Sequence, residues 1–249
     1  MIVELLLVRH GYSCANAWKR KYKGIHLAYA DPELTEEGKR LCEERKEALR
    51  AAIAESFPES SYIVATSAMI RTQQTAYHML LQGTQSKYTI FPHVGEEGVT
   101  SNNFPLSAEK QASLLGPPGL DRPGGPSVRG HLRKDLRGST NLENKSNWPK
   151  FLAWLQKHDG PSRIVLFTHG RFIRRALKLP STQKPHNNDI YYVKVDTETG
   201  HFLEKKKLTD FADPPVSVKG CRISTVRQYI TGGTRKNRTH QRRRTYKRM

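Results

Sequence analysis

Cysteine is scarce: Cys14, Cys42 and Cys221 are the only three in 249 residues, odd in number and widely scattered. That distribution argues against a disulfide framework and against a zinc ribbon, and it points to a reducing compartment. Long apolar runs are missing too. The N-terminal Ile2-Val3-Glu4-Leu5-Leu6-Leu7-Val8 is too short, and too lacking in a basic leader, for a signal peptide. No other run approaches the roughly 20 residues that a bilayer span needs. The expectation is a soluble protein of the cytoplasm without a membrane span. Acid is also in deficit: 42 Lys and Arg face 23 Asp and Glu, a formal net charge of +19. From Lys219 onward there are eleven cations and no acid, so more than half of the excess sits in the last 31 residues. Such an excess attracts polyanions without saying which. Aromatics at 8% and charged residues at 26% are ordinary, so most of the chain should fold.

Apolar patterning runs to Asp213-Pro214-Pro215, which places one domain at 1–213 and a basic, disordered tail at 214–249. Within the domain, apolar β-branched runs alternate with helical patterns, the mark of an α/β fold. Ile2–Val8, Tyr62–Ala65 and Ile164–Phe167 read as strands buried on both faces, and Tyr88–Val94 and Asp189–Asp196 as further strands. The expected architecture is a three-layer α/β/α sandwich with a mostly parallel central sheet. Thr35 can cap a helix with Glu36 and Glu37 in its first turn and Leu41, Ala48, Leu49, Ala52 and Ile53 on its buried stripe. Thr72–Leu81 and Arg171–Leu179 read as helices that follow their strands at once. Residues 98–147, with Gly116-Pro117-Pro118-Gly119 and Pro123-Gly124-Gly125-Pro126, read as an irregular insertion over one face.

In open α/β sheets ligands bind beyond the carboxyl ends of the strands. Basic groups stand there each time: Arg9-His10-Gly11 after the first strand, Ser67 and then Arg71 after the second, Thr168-His169-Gly170 after the third. Two imidazoles, two guanidiniums and the N–H groups of helix starts would converge on one crevice, which is what a phosphate group needs. A single His-Gly after a strand is more often a turn histidine. Basic groups after three strands in one topological place make a phosphoryl pocket the better reading.

Leu6-Leu7-Val8-Arg9-His10-Gly11 followed by Asn16 resembles the RHGxxxxN signature of the histidine phosphatase superfamily, the phosphoglycerate mutase-like family. Asp31-Pro32-Glu33-Leu34-Thr35-Glu36-Glu37-Gly38, the segment Thr66 to Ala76 around Arg71, the segment Val165 to Leu177 around His169, and Asn188-Asp189-Ile190 are similar to its later motifs, in the same order. The resemblance covers residues 1 to about 200. It implies a phosphoglycerate mutase-like fold and a metal-independent phosphomonoester hydrolase in which His10 attacks phosphorus and water releases the phosphohistidine. Arg9, Arg71 and a cationic His169 would stabilise the charge that spreads over the phosphoryl oxygens, with Asn16 and Gly170 also holding phosphate. The attacking imidazole must be unprotonated. The family takes the proton for the leaving alkoxide from a carboxylic acid after the next strand, which places it at Glu96, with Glu97 as the alternate.

A phosphoglycerate mutase-type transfer is the alternative, disfavoured because Gly98-Val99-Thr100-Ser101-Asn102-Asn103 departs from the mutase pattern. Arg133, Lys134 and Arg137 could form a second anion clamp but read better as exposed cations. Lys19, Arg20, Lys21 and Lys23 read as a solvated run in the loop just after the first motif, at the pocket mouth. Cys14 sits in the phosphate loop, where a positive field lowers a thiol pKa, although structural filler is the commoner fate of such a cysteine. The eight remaining histidines show no metal-ligand spacing, so no metal and no cofactor is expected. The partner is a small phosphorylated substrate or a phosphoprotein. Arg242-Arg243-Arg244, Lys247 and Arg248 could add nucleic acid, another polyanion or an import receptor, and with it the nucleus. From a different class, the domain could be an idle binding module acting through that tail.

Overall fold

Six strands, β1 (Ile2–Arg9), β2 (Ile63–Thr66), β3 (Tyr88–Ile90), β4 (Arg163–Thr168), β5 (Ile190–Asp196) and β6 (Phe202–Lys207), form one sheet in the order β3-β2-β4-β1-β5-β6. The computed structural model describes residues 1–21, 29–58, 61–84, 88–98, 100–106, 111, 146–157 and 162–221. β1 to β4 pair in parallel, whereas β5 runs antiparallel to both β1 and β6. Five strands therefore share one direction and β5 alone is reversed, which gives the mostly parallel sheet that the sequence led us to expect.

The apolar runs are continuous because both faces of the sheet are covered. Leu6, Val8, Val165 and Phe167 face one core, shared with Cys42, Leu49 and Ile53 of α2 (Glu36–Glu44) and α3 (Lys46–Ser56). Leu5, Leu7, Ile164 and Leu166 face the other, shared with Phe151 and Leu155 of α5 (Trp148–Lys157) and Phe172 and Ile173 of α6 (Gly170–Ala176). Each such side chain contributes roughly 1.5–3 kcal/mol by leaving water. The result is helix, sheet and helix in three layers.

Several elements differ from expectation. Cys14–Lys21 is a helix, α1, so Lys19, Arg20 and Lys21 lie on its last turn and not in a loop. The helix after β2 starts at Ile70; its regular part, α4 (Ile70–Ala76), continues as a wider π turn over Tyr77–Leu81. β3 stops at Ile90, and a turn with His93 at φ 63° replaces the rest of the expected strand. Leu41 and Ala48 are only half-buried on their helices. Lys23, Arg133, Lys134 and Arg137 lie outside the described residues, as do most of 98–147 and all of 222–249.

The cysteines overturn the expectation of free thiols. Cys14 and Cys221 form a disulfide across 207 residues of sequence, and buried Cys42 is free, its thiol pushed up to about 12 by burial. Packing also continues past the expected boundary at 213. The Pro214 carbonyl accepts from Arg20 at 2.6 Å, the Lys219 carbonyl accepts from the Glu36 amide at 3.1 Å, and Cys221 packs with Trp18 and Tyr29.

Candidate active site

Because β2, β4 and β1 are parallel neighbours, their carboxyl ends lie side by side, and the residues just beyond them meet. Thr35 caps α2 by accepting from the Gly38 amide at 2.9 Å, an interaction that contributes about 1 kcal/mol. Gly38 lies so close to the loop after β1 that a Cβ there would meet the Tyr12 carbonyl oxygen at 2.1 Å. That loop is held further by Asn187, whose Nδ2 donates to the carbonyls of His10 at 2.7 Å and Gly11 at 3.0 Å, and by Thr75, whose hydroxyl accepts from the Gly11 amide at 2.9 Å.

His10 is buried, with Nδ1 2.7 Å from the Gly11 carbonyl oxygen. A carbonyl only accepts, so Nδ1 carries the proton and Nε2 keeps its lone pair. Burial first, then the charges of Arg71 and Arg9, hold the ring well below the usual histidine range, against the pull of that carbonyl. Nε2 has no hydrogen bond among the described residues, and His10 lines a cavity of about 630 Å³.

His169 stands with its ring centroid 5.3 Å from that of His10. Arg71 Nη2 lies 3.3 Å from its Nδ1, and Ser67 Oγ 2.8 Å from its Nε2. The guanidinium can only donate, so Nδ1 accepts and Nε2–H donates to Ser67. Burial, Arg71, His10 and Arg9 hold this ring too well below its usual range. The expected cationic His169 is therefore neutral here, since burial and the neighbouring guanidiniums outweigh the Glu96 carboxylate, whose Oε2 lies 3.7 Å from Nδ1.

Arg9 Nη1 donates to the Pro185 carbonyl at 2.6 Å, while its Nε is buried without a partner among the described residues. Gly170 is required beside it, because a Cβ would meet Arg9 Nε at 2.9 Å. Arg71 Nη1 donates to the Asn102 carbonyl at 3.1 Å. Burial lowers both guanidinium pKa values, yet arginine remains charged. Asn16 lines the cavity, but its Oδ1 accepts from the Ser13 amide at 3.2 Å and the Ser13 hydroxyl at 2.9 Å, so it shapes the loop.

The turn after β3 sets the two glutamates in different surroundings. Thr168 Oγ1 donates to the Val94 carbonyl at 2.6 Å and anchors that turn over the end of β4. Glu96 then lines the cavity, with Oε2 3.6 Å from Arg71 and 3.7 Å from His169 Nδ1. Glu97 pairs with Arg175 at 2.8 Å instead.

One ligand atom from each of His10, Glu96 and His169 lies within 4.8 Å of the others, a spacing that a metal ion could use. Arg9 and Arg71 beside it favour an anion over a dication. Sequence reasoning misses Asp31 as a site residue. Buried, at φ 41°, it accepts from the amides of Ile70 at 2.9 Å and Leu106 at 2.9 Å and from Gln111 Nε2 at 2.6 Å. It thereby ties the start of α4, which carries Arg71, to the segment that carries Asn102. Neither Asp31 nor Asn187 has a local sequence signal for this, since each acts on residues distant in the chain.

No family model matches the chain, and no curated protein does. Solved structures do resemble it. An alpha-ribazole phosphatase from Shigella flexneri is 17% identical, with a TM-score of 0.43 over 78% of this chain and 91% of that one. A phosphoglycerate mutase from Bacillus anthracis is 14% identical, with a TM-score of 0.41 over 91% and 96%. A phosphoserine phosphatase from Entamoeba histolytica, solved as a histidine-to-alanine mutant in complex with phosphoserine, is 18% identical, with a TM-score of 0.40 over 82% and 96%. These neighbours are histidine phosphatase superfamily proteins.

Proposed function

We propose that this chain is a phosphomonoester hydrolase of the histidine phosphatase superfamily that works through a phosphohistidine on His10. The observation that carries the reading is the fixed His10 tautomer. With Nδ1 committed to the Gly11 carbonyl and the ring held neutral, the Nε2 lone pair is available in a cavity that Arg9, Arg71 and Glu96 also line.

In the first step Nε2 forms a bond to phosphorus, the P–O ester bond breaks, and the departing oxygen takes a proton from Glu96. In the second, Glu96 takes a proton from water, the hydroxyl adds to phosphorus, and the P–N bond breaks to return His10 and phosphate. Arg9 and Arg71 hold the phosphoryl oxygens throughout, and the unpartnered Arg9 Nε–H supplies one ready donor. A bound phosphate dianion adds further negative charge beside His169, so His169 takes up a proton as the site fills.

The test is turnover of p-nitrophenyl phosphate in the presence of EDTA by the full chain and by His10→Ala, with rapid acid-free quenching to trap acid-labile phosphoprotein. Activity and labelling in the wild type, both absent from the variant, are expected. A fully active His10→Ala protein would overturn the mechanism.

A further inference from the structure

Four cations besides Arg9 and Arg71 line the same cavity: Lys19 from α1, Arg171 and Arg174 from α6, and Lys184 from the segment before β5. Against all six stands one carboxylate, Glu96, already within 4 Å of Arg71. Lys19, Arg174 and Lys184 make no ion pair among the described residues, and Arg171 donates only to the Glu97 main-chain oxygen at 3.2 Å. The contrast with the surroundings is direct. The neighbouring Arg175 is paired with Glu97, Arg163 with Glu4, and Lys207 with Asp189. Unpaired cations gathered at one mouth repel one another unless an anion sits among them.

A single phosphomonoester is a dianion, which Arg9 and Arg71 already balance. Four further positive charges exceed what one carboxylate needs and suit a second dianion. The cavity, about 630 Å³, is of small-molecule size. Position supports the same division. Gly170, packed on Arg9, begins α6; Arg171 and Arg174, three residues apart on one face, are separated by about 4.5 Å along the helix axis. The unpaired Arg174 thus stands nearly one helical turn beyond the phosphate pocket.

We infer that the substrate is a small molecule with two phosphoryl groups, the scissile one between Arg9 and Arg71 and the second held by Arg174 and Lys184, with Lys19 and Arg171 beside it. This rests on the phosphatase reading above and adds the substrate class to it.

The experiment compares kcat/KM for alkanediol bisphosphates with two- to six-carbon spacers and for the matching monophosphates, in the full chain and in the double variant Arg174→Ala/Lys184→Ala. Charged hydrogen bonds to the second group should favour the best bisphosphate by about 10- to 100-fold, beyond the statistical factor of two. The double variant should lose most of that preference while lowering monophosphate turnover far less. No preference at any spacer length overturns the inference, as does an equal fall for both substrate classes, which would mean general steering by charge. p-Nitrophenyl phosphate with His10→Ala runs alongside. Retained activity in that arm brings down the phosphatase reading and this inference together, whereas lost activity there with no bisphosphate preference brings down this inference alone.

Discussion

The His10 Nδ1–H donates to the carbonyl oxygen of its own neighbour, Gly11, at 2.7 Å, and this short-range bond decides which ring nitrogen can react. Burial and two guanidiniums keep that ring neutral, so lowering the pH through the ordinary histidine range should not protonate it. The His10 ring proton signals, assigned by their loss in His10→Gln, are expected to stay flat between pH 8 and 6. A model-peptide histidine changes over that range, with a midpoint near 6.5. A His10 midpoint at or above 6.5 would contradict the electrostatic account. Adding inorganic phosphate should bring one proton onto the site, on His169.

Gly170→Ala should separate activity from stability. The new methyl would crowd Arg9 Nε at 2.9 Å and Cδ at 3.2 Å, and the side chain can yield at its mobile end. Arg9 would then leave its place against the phosphate while the core stays intact. The expected result is a fall in kcat/KM of roughly 10- to 100-fold, the size of one lost charged contact, with a melting temperature close to wild type. A large drop in melting temperature with unchanged kinetics would refute it.

What could be read from the chain and what could not divides along one physical line. β1, β2 and β4 showed because strands buried on both faces must be apolar throughout, and His10, Arg71 and His169 because they sit directly beyond those strands. β6 did not show: Phe202–Lys207 is mostly exposed and carries three consecutive lysines, which suit an edge strand that must not pair with other chains. The helix Trp148–Lys157 was hidden beside the irregular insertion, although Phe151, Leu152 and Leu155 trace its buried stripe. Asp31, Asn187 and the Cys14–Cys221 pair stayed illegible because their meaning is wholly tertiary. No local pattern pairs cysteines 207 residues apart.

That disulfide ties the start of α1, one residue after Ser13 of the cavity wall, to the last described segment of the chain. Cross-linking so long a loop restricts the unfolded chain, an effect typically worth about 2–4 kcal/mol. Cys221→Ser should therefore melt well below wild type without reductant. With dithiothreitol the two should coincide, because the wild type then loses the same link. A Cys221→Ser protein as stable as the oxidised wild type would show that the bridge contributes nothing.

Acid stability pits Asp31 against the two imidazoles. His10 and His169 have folded pKa values below the unfolded one, so as pH falls below 6.5 the unfolded chain binds protons that the folded chain does not, and stability drops. Burial pushes the Asp31 carboxyl up to about 6, so between about 6 and its unfolded value the folded chain binds the extra proton and stability rises. Each group changes stability by about 1.4 kcal/mol per pH unit at most. Chemical denaturation between pH 6 and 5 should show stability falling less steeply with decreasing pH in the wild type than in Asp31→Asn, which cannot titrate. Equal slopes would exclude an opposing contribution from Asp31.

The proton for the leaving oxygen gives the sharpest distinction between the two glutamates. Glu96 faces the cavity 3.7 Å from His169, whereas Glu97 is engaged with Arg175, an arginine whose side chain is 68% exposed. A good leaving group such as p-nitrophenolate departs without a proton, but an alkoxide does not. Glu96→Gln should therefore slow alkyl phosphates by about 10²- to 10⁴-fold and p-nitrophenyl phosphate much less. Glu97→Gln, losing only an ion pair screened on one side by water, should cost less than about 1 kcal/mol of stability and show no dependence on the leaving group. If Glu97→Gln instead shows the steep dependence on leaving-group basicity, the two roles are exchanged. If neither does, the proton comes from elsewhere.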